Sequence, residues 1–331
     1  MKQLTGYIQQ FNNIKIMVVG ELIADEFITG EPERISREAP VLILRHHNQQ
    51  ILPGGGANAA HNISSLGGRV NLVGIIGPDQ PGNKLCRYLE EHGVDVNGVV
   101  VAEDRPTCVK TRILAGGGGI VKQQVVRIDR LDNSPIDRDL EERIILNVRD
   151  NIKNVDGILI SDYGNGLFTE RVKREIIKAG RSRGKFIAVD TRYNLLDYQG
   201  ITIATPNLEE ASYAVGWEIK TRDEVIKAGK EIIGHMDMEY LLITQGGDGM
   251  TLFNKEGEFQ HIPAVNYTEV YDVTGAGDTV VATLSLALGA GATMEEAMDL
   301  ANTAAGIVVR KSGVATVKPG ELMEEVIKNE K

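Results

Sequence analysis

No apolar run in this 331-residue chain approaches the roughly 18 positions that a membrane-spanning helix needs. Its start, Met1-Lys2-Gln3-Leu4-Thr5-Gly6, lacks the basic-then-apolar order of a signal peptide. A cytoplasmic protein with no membrane partner is therefore expected. Cysteine is scarce: Cys86 and Cys108 make no metal-binding spacing and too small a disulfide framework for a secreted protein of this length. Both are expected to be reduced. Basic charge is not in excess either, because 36 Lys and Arg stand against 46 Asp and Glu for a net charge of −10. That balance opposes nonspecific binding to nucleic acid or an anionic membrane, so an anionic substrate must be held by local groups.

Several familiar phosphate-binding motifs are missing. Gly77-Pro78-Asp79-Gln80-Pro81-Gly82-Asn83-Lys84 has the glycine spacing of a P-loop but puts Asn83 where lysine is required and Lys84 where Ser or Thr should follow. No G-x-G-x-x-G follows the first apolar run, which weighs against a dinucleotide-dependent dehydrogenase, and protein-kinase signatures are absent. No internal repeat or low-complexity linker divides the chain.

What is present centres on Val270-Tyr271-Asp272-Val273-Thr274-Gly275-Ala276-Gly277-Asp278-Thr279 and the small-residue run behind it. Gly275, Ala276 and Gly277 read as a tight loop opening a helix, where free N–H groups and the helix dipole favour an anion such as a phosphate. Asp278 is out of place beside a phosphate unless it takes the proton from an attacking hydroxyl. On the loop alone, an ordinary first-turn acid helping the helix dipole is the equal alternative.

Elsewhere the chain reads as α/β. Ile14 to Gly20 is a buried strand followed by two carboxylates, Glu21 and Asp25, placed where ligands bind in open sheets. Gly54-Gly55-Gly56 precedes a helix from Ala57 to Leu66. These glycines allow a substrate close to the backbone or the helix close to the sheet, and Asn58 can both donate and accept toward hydroxyls. Strands at Val70–Gly77, Gly157–Ser161, Phe186–Asp190, Ile201–Thr205 and Tyr240–Thr244 alternate mostly with helical segments, which implies a mainly parallel sheet covered on both faces. Asp162, Asp190 with Arg192, and Thr205-Pro206-Asn207 each put polar groups just past an apolar run. Residues of about 28–52 and 107–128 lack helical period and read as a small β lid, the second as a hairpin around Gly116 to Gly119. Asn207 with Glu210 is a helix-start pair, Thr244-Gln245-Gly246-Gly247-Asp248-Gly249 a glycine-rich turn leading into a hairpin, and Thr293 with Glu296 a capping box.

Asp272-Val273-Thr274-Gly275-Ala276-Gly277-Asp278 resembles the C-terminal signature of the ribokinase-like (PfkB) sugar kinases, and Gly54-Gly55-Gly56-Ala57-Asn58-Ala59-Ala60-His61-Asn62 resembles the N-terminal one. The resemblance implies one three-layer α/β/α kinase domain over 1–331, with the lid inserted in it and a homodimer formed through the lid. It implies ATP as phosphoryl donor with Mg2+, Asp278 as general base, and Gly275, Ala276 and Gly277 as anion hole. Asp25, with Gly54, Gly55, Asn58 and Asp162, is then expected against the sugar. Asn207 and Glu210 serve Mg2+ and phosphate, mostly through water. Thr244, Gly246, Gly249 and Asn302 line the nucleotide site, and Asp272 belongs to a loop associated with a monovalent cation, K+. A non-catalytic sugar or nucleotide sensor on the same fold is the contrasting class.

The likeness tightens in Gly20-Glu21-Leu22-Ile23-Ala24-Asp25, Arg34-Ile35-Ser36-Arg37-Glu38-Ala39-Pro40, Pro106-Thr107-Cys108-Val109-Lys110-Thr111-Arg112 and Ser161-Asp162-Tyr163-Gly164, which resemble the D-glycero-β-D-manno-heptose-7-phosphate kinases. Those enzymes phosphorylate O1 of a sugar phosphate. Such a substrate needs cationic anchors, for which Lys110, Arg112 and Arg192 are candidates, with Arg34 and Arg37 behind them. Two positions depart from that pattern: Glu21 replaces an aspartate, and Thr191-Arg192 replaces Pro-Lys. Another ribokinase-like sugar kinase, acting on a ribose, fructose or nucleoside, is the alternative within the family. The sequence stops at Lys331 without the nucleotidyltransferase domain that some relatives carry, so it is not expected to complete ADP-heptose synthesis alone.

Overall fold

The computed structural model describes residues 4–116, 122–265, 272–311 and 313–329. The expected turn residues Gly117, Gly118 and Gly119, and Glu269 to Tyr271 of the C-terminal motif, lie outside these. A short helix, α1 (Leu4–Ile8), precedes β1 (Lys15–Gly20), in which Ile16, Met17, Val18 and Val19 are fully buried. A strand apolar on both faces belongs inside a doubly covered sheet.

The chain then leaves the sheet through β2 (Leu22–Ile35) and returns through β3 (Leu42–Gly55) into α2 (Gly56–Ser65). Next come β4 (Arg69–Ile76), α3 (Gln80–Glu91), β5 (Val94–Val101), and a second excursion through β6 (Cys108–Ala115) and β7 (Gln123–Arg130). The rest alternates: α4 (Arg138–Asn151), β8 (Gly157–Asp162), α5 (Glu170–Ser182), β9 (Phe186–Thr191), β10 (Ile201–Ala204), α6 (Leu208–Val215), α7 (Arg222–His235) and β11 (Met238–Thr244). A hairpin of β12 (Met250–Asn254) and β13 (Phe259–Ile262) precedes three helices, α8 (Ala276–Gly289), α9 (Met294–Val308) and α10 (Pro319–Asn329).

Two sheets result. The large one runs β13-β12-β11-β10-β9-β8-β1-β4-β5 and is parallel except at β12 and β13; the small one runs β3-β2-β6-β7. Helices α1–α3 and α8–α10 bury one face of the large sheet, and α4–α7 bury the other. Strand order reverses at β1, with β4 on one side and β8 on the other. A crevice opens at such a reversal beyond the carboxyl ends of the strands. Among the described residues no helix is long and apolar enough to cross a membrane.

Asp25 is not at the end of β1, as the sequence suggests. It is the fourth residue of β2, paired with Leu52 of β3 and Lys110 of β6. Gly20 and Gly56 account for the early turn: a Cβ on Gly20 would lie 2.8 Å from the Gly56 Cα, so the chain bends away at Glu21 and starts pairing with β3 at Leu22. Helix α1, strand β5 and helix α4 have no counterpart in the sequence reading.

Candidate functional site

Helix α8 starts from Gly275, whose φ of +80° suits a residue without a Cβ; an added Cβ would lie 2.9 Å from Asn58 Nδ2. Asp272 ties this loop down, accepting from the Thr274 N–H at 2.9 Å and the Gly313 N–H at 3.2 Å. Burial raises the Asp272 carboxyl, and those N–H donors outweigh it, leaving it below the usual aspartate range. Beyond Gly275, Ala276 is half-buried and Gly277 exposed, with open space where a Gly277 side chain would stand.

Asp278 follows in the first turn and is buried. Its Oδ2 accepts from Asn58 Nδ2 at 2.6 Å and its Oδ1 from the Tyr163 hydroxyl at 3.3 Å. Burial pushes its carboxyl up to about 7, against the pull of these two donors; Asp25 adds to the rise and Lys110 opposes it. Asn58 is itself fixed, since Asn62 donates to its Oδ1 at 3.2 Å and to its backbone carbonyl at 2.9 Å. Asn62 Oδ1 in turn accepts from Thr279 Oγ1 at 2.8 Å, linking α2 to α8. Asn62 had no role in the sequence reading, although its place one turn beyond Asn58 on one helix face was the available signal.

The small sheet supplies the facing groups. Arg112 Nη1 lies 2.7 Å from Asp25 Oδ1, with only 16% and 9% of the two side chains exposed, and its guanidinium sits over the Phe27 ring at 5.3 Å. Lys110 extends over the Tyr163 ring, Nζ 5.2 Å from its centre, and burial lowers its ammonium although Asp25 raises it. An ion pair, two hydrogen bonds and a ring contact thus link Asp25 with Arg112, Asn58 with Asp278, and Lys110 through Tyr163 with Asp278. Gly54 keeps space beside Asp25, because its Cβ would come 2.6 Å from Oδ2. Gly55 serves packing instead: at φ +57° its Cβ would meet the Glu21 carbonyl at 2.7 Å.

Asp162 is buried and well bonded. Its carboxylate accepts from the Tyr198 hydroxyl at 2.7 Å, Thr191 Oγ1 at 3.3 Å and the Gly164 N–H at 2.9 Å. Three donors within the fold make it an anchor of the turn after β8, and it also lines a cavity with Tyr163. Glu21, the departure from the aspartate pattern, is likewise buried and accepts the N–H groups of Tyr163 at 2.7 Å and Leu167 at 3.0 Å. Burial pushes its carboxyl to about 7.

A cavity of about 190 Å³ is lined by Asp162, Tyr163, Asp190, Arg192, Asn207 and Glu210 among others. Arg192 is exposed and stacks at 5.6 Å on Tyr193. Asn207 and Glu210 form a complete capping box for α6, each side chain accepting the other's N–H at 2.9 Å. Burial and the neighbouring carboxylates Glu210, Asp278 and Asp162 hold the Asp190 carboxyl well above its ordinary range. Among the described residues no three His, Cys, Asp or Glu side chains are grouped to hold a metal directly.

A second cleft, about 150 Å³, joins Thr244, Gly246 and Gly249 to Ala276, Gly277 and Asn302. The residues expected against a nucleotide therefore converge beside the Gly275–Gly277 loop. Asn302 is turned partly inward, donating to the Pro263 carbonyl at 2.8 Å. Arg34 and Arg37 are exposed, Arg34 at the distal end of β2 and Arg37 beyond it, remote in register from Asp25.

Comparison with known proteins places this geometry in context. A family model described as pfkB family carbohydrate kinase matches residues 13–320. Proteins named bifunctional protein HldE are 39% identical in Geobacter metallireducens, over 97% of this chain, and 38% identical in Rhodospirillum rubrum, over 99%. The chain spans 65% of the length of each. Among solved structures, Arabidopsis thaliana ribokinase complexed with ribose and ATP superposes with a TM-score of 0.73 at 22% identity, covering 95% of this chain and 98% of that one. Escherichia coli phosphofructokinase-2 in complex with potassium gives 0.76 at 19% identity, covering 96% and 100%. At these identities the structures establish the shared ribokinase-like fold.

Proposed function

Since the chain belongs to the pfkB family of carbohydrate kinases, which makes it an ATP-dependent sugar kinase, we propose that it moves the γ-phosphate of ATP to O1 of D-glycero-β-D-manno-heptose 7-phosphate. The carrying observation is Asp278 beside the anion loop, buried yet held by Asn58 and Tyr163 with its carboxyl near 7. A base whose proton affinity lies near working pH is suited to accept a hydroxyl proton and release it again. A sensor has no need of so costly a buried carboxylate.

ATP is read into the cleft between Thr244 and Asn302, with its phosphates toward Gly275, Ala276 and Gly277. Backbone N–H groups there would stabilise charge on the transferred group, a contribution of roughly 10² to 10³ in rate per donor. Mg2+ would supply charge neutralisation, near Asn207 and Glu210 and mostly through water. The sugar is read against Asp25 and Asn58, with Lys110, which acts on Asp278, and Arg112, which pairs with Asp25, as the cations for its phosphate. The Asp272 loop, closed on Gly313, is the place for K+.

The heptose assignment is supported by the motif likeness and by identity of about 38–39% to the HldE proteins over nearly the whole chain. We read 1–331 as one kinase domain and its small sheet as both lid and homodimer contact, because β7 is exposed throughout and shows Val125, Val126 and Ile128 to solvent. Phosphate transfer from ATP across a panel of sugars and sugar phosphates, with the phosphorylated carbon identified, tests the proposal. The expected product is the 1,7-bisphosphate; preferred transfer to an unphosphorylated ribose or fructose would move the protein elsewhere in the family.

A further inference from the structure

We infer that Tyr163 is a positioning residue for Asp278, and that Glu21 fixes Tyr163 in place. The inference rests on the reading of Asp278 as general base. Each Asp278 oxygen has one donor, Asn58 Nδ2 on Oδ2 at 2.6 Å and the Tyr163 hydroxyl on Oδ1 at 3.3 Å. Two donors on opposite oxygens set the plane of a carboxylate, which a single donor leaves free to rotate. Asn58 is secured by Asn62, so that half of the clamp belongs to α2.

The other half comes from a turn that would be loose without its carboxylates. After β8 the chain passes through Gly164 at φ +76° and Gly166 at φ +86°. Glu21 reaches this turn from the gap between β1 and β2 and takes the N–H groups of Tyr163 and Leu167, one on each oxygen, at 2.7 and 3.0 Å. Asp162 takes the Gly164 N–H at 2.9 Å. Aspartate at position 21 would be one methylene short of both N–H groups. The glutamate is therefore matched to the position of this tyrosine. Lys110 lies over the same ring, so the tyrosine also joins Asp278 to a cation of the small sheet.

The groups that face Asp278 are Asp25 from β2, Lys110 from β6, Asp190 from β9 and Tyr163 itself, with neutral Asn58 from α2. The tyrosine hydroxyl is among those that favour the carboxylate form. Its removal in Tyr163→Phe should move the acid limb of log kcat/KM upward by up to about one pH unit and lower kcat roughly tenfold, leaving the Kd for ATP unchanged. Glu21 also titrates near 7, but phenylalanine keeps the backbone N–H that Glu21 accepts, so the shift reports Asp278.

Glu21→Asp should reproduce the limb shift with the hydroxyl still present, and adding it to Tyr163→Phe should move the limb no further. Thermal unfolding confirms that each variant is folded. An inactive Asp278→Asn together with an unmoved limb and wild-type kcat in Tyr163→Phe would overturn the inference. A shift in Tyr163→Phe that Glu21→Asp does not share would remove Glu21 from it. Substantial turnover by Asp278→Asn would instead overturn the base reading on which the inference stands.

Discussion

Asn58 donates a 2.6 Å hydrogen bond to the Asp278 carboxylate across 220 positions of sequence, so the two glycine-rich signatures of the chain meet at one pair of atoms. Helix α2 and helix α8 each deliver one partner from the first turn. The glycines before them are what permit the approach, which makes the pair sensitive to any added side-chain atom.

Gly275→Ala is the sharpest test of that closeness. Alanine at φ +80° is strained by about 1–2 kcal/mol, and its Cβ would stand 2.9 Å from Asn58 Nδ2. We expect a lower melting temperature together with a fall in kcat of roughly tenfold or more, since Asn58 must leave Asp278 or the loop must shift. Calorimetry and steady-state kinetics check both.

The Asp25–Arg112 pair should behave as a buried one. Arg112→Ala strands the Asp25 carboxylate and is expected to cost about 3–5 kcal/mol, with a raised KM for the sugar and little change in KM for ATP. Arg112→Lys should recover only part of this, because lysine keeps the charge but not the guanidinium stacked on Phe27. Denaturant unfolding and separate KM measurements provide the comparison.

Stability should fall with pH in a defined window. The Asp278 and Glu21 carboxyls lie near 7 in the folded protein, above unfolded values of 3.8 and 4.5. Between those limits the native state binds more protons than the unfolded chain, so each group's contribution shrinks as pH rises from about 4 to 7 and is flat beyond. Asp278→Asn removes one such group. Its melting temperature relative to wild type should therefore be more favourable at pH 8 than at pH 5; a gap constant across that range would place the carboxyl at an ordinary value.

Asn207→Ala separates capping from metal chemistry. Loss of the α6 cap should cost about 1 kcal/mol. A role toward hydrated Mg2+ adds an increase in the Mg2+ concentration needed for half-maximal rate. A destabilised variant with wild-type Mg2+ dependence would confine Asn207 to the cap.

Most of the large sheet and its helices were legible because each rests on local pattern: apolar runs such as Ile158 to Ile160, caps such as Thr293 with Glu296, and small residues ahead of α2 and α8. Strand β5 was not, since Asn97-Gly98 reads as a turn inside Val94–Val101. The internal partners of Asp162 were hidden for a different reason. Its place after a strand is visible in sequence, whereas its three donors come from Gly164, Thr191 and Tyr198, two of them brought in only by folding. The same applies to Glu21, whose buried contacts with the turn after β8 span more than a hundred residues of chain.

The most direct test is a single-turnover measurement of γ-phosphate transfer from labelled ATP to D-glycero-β-D-manno-heptose 7-phosphate by wild type and Asp278→Asn, with ATP affinity measured in parallel by calorimetry. Loss of a general base predicts a rate lower by roughly 10² to 10⁴, with the Kd for ATP within a few-fold of wild type. Transfer by Asp278→Asn at a rate near that of wild type would contradict the account.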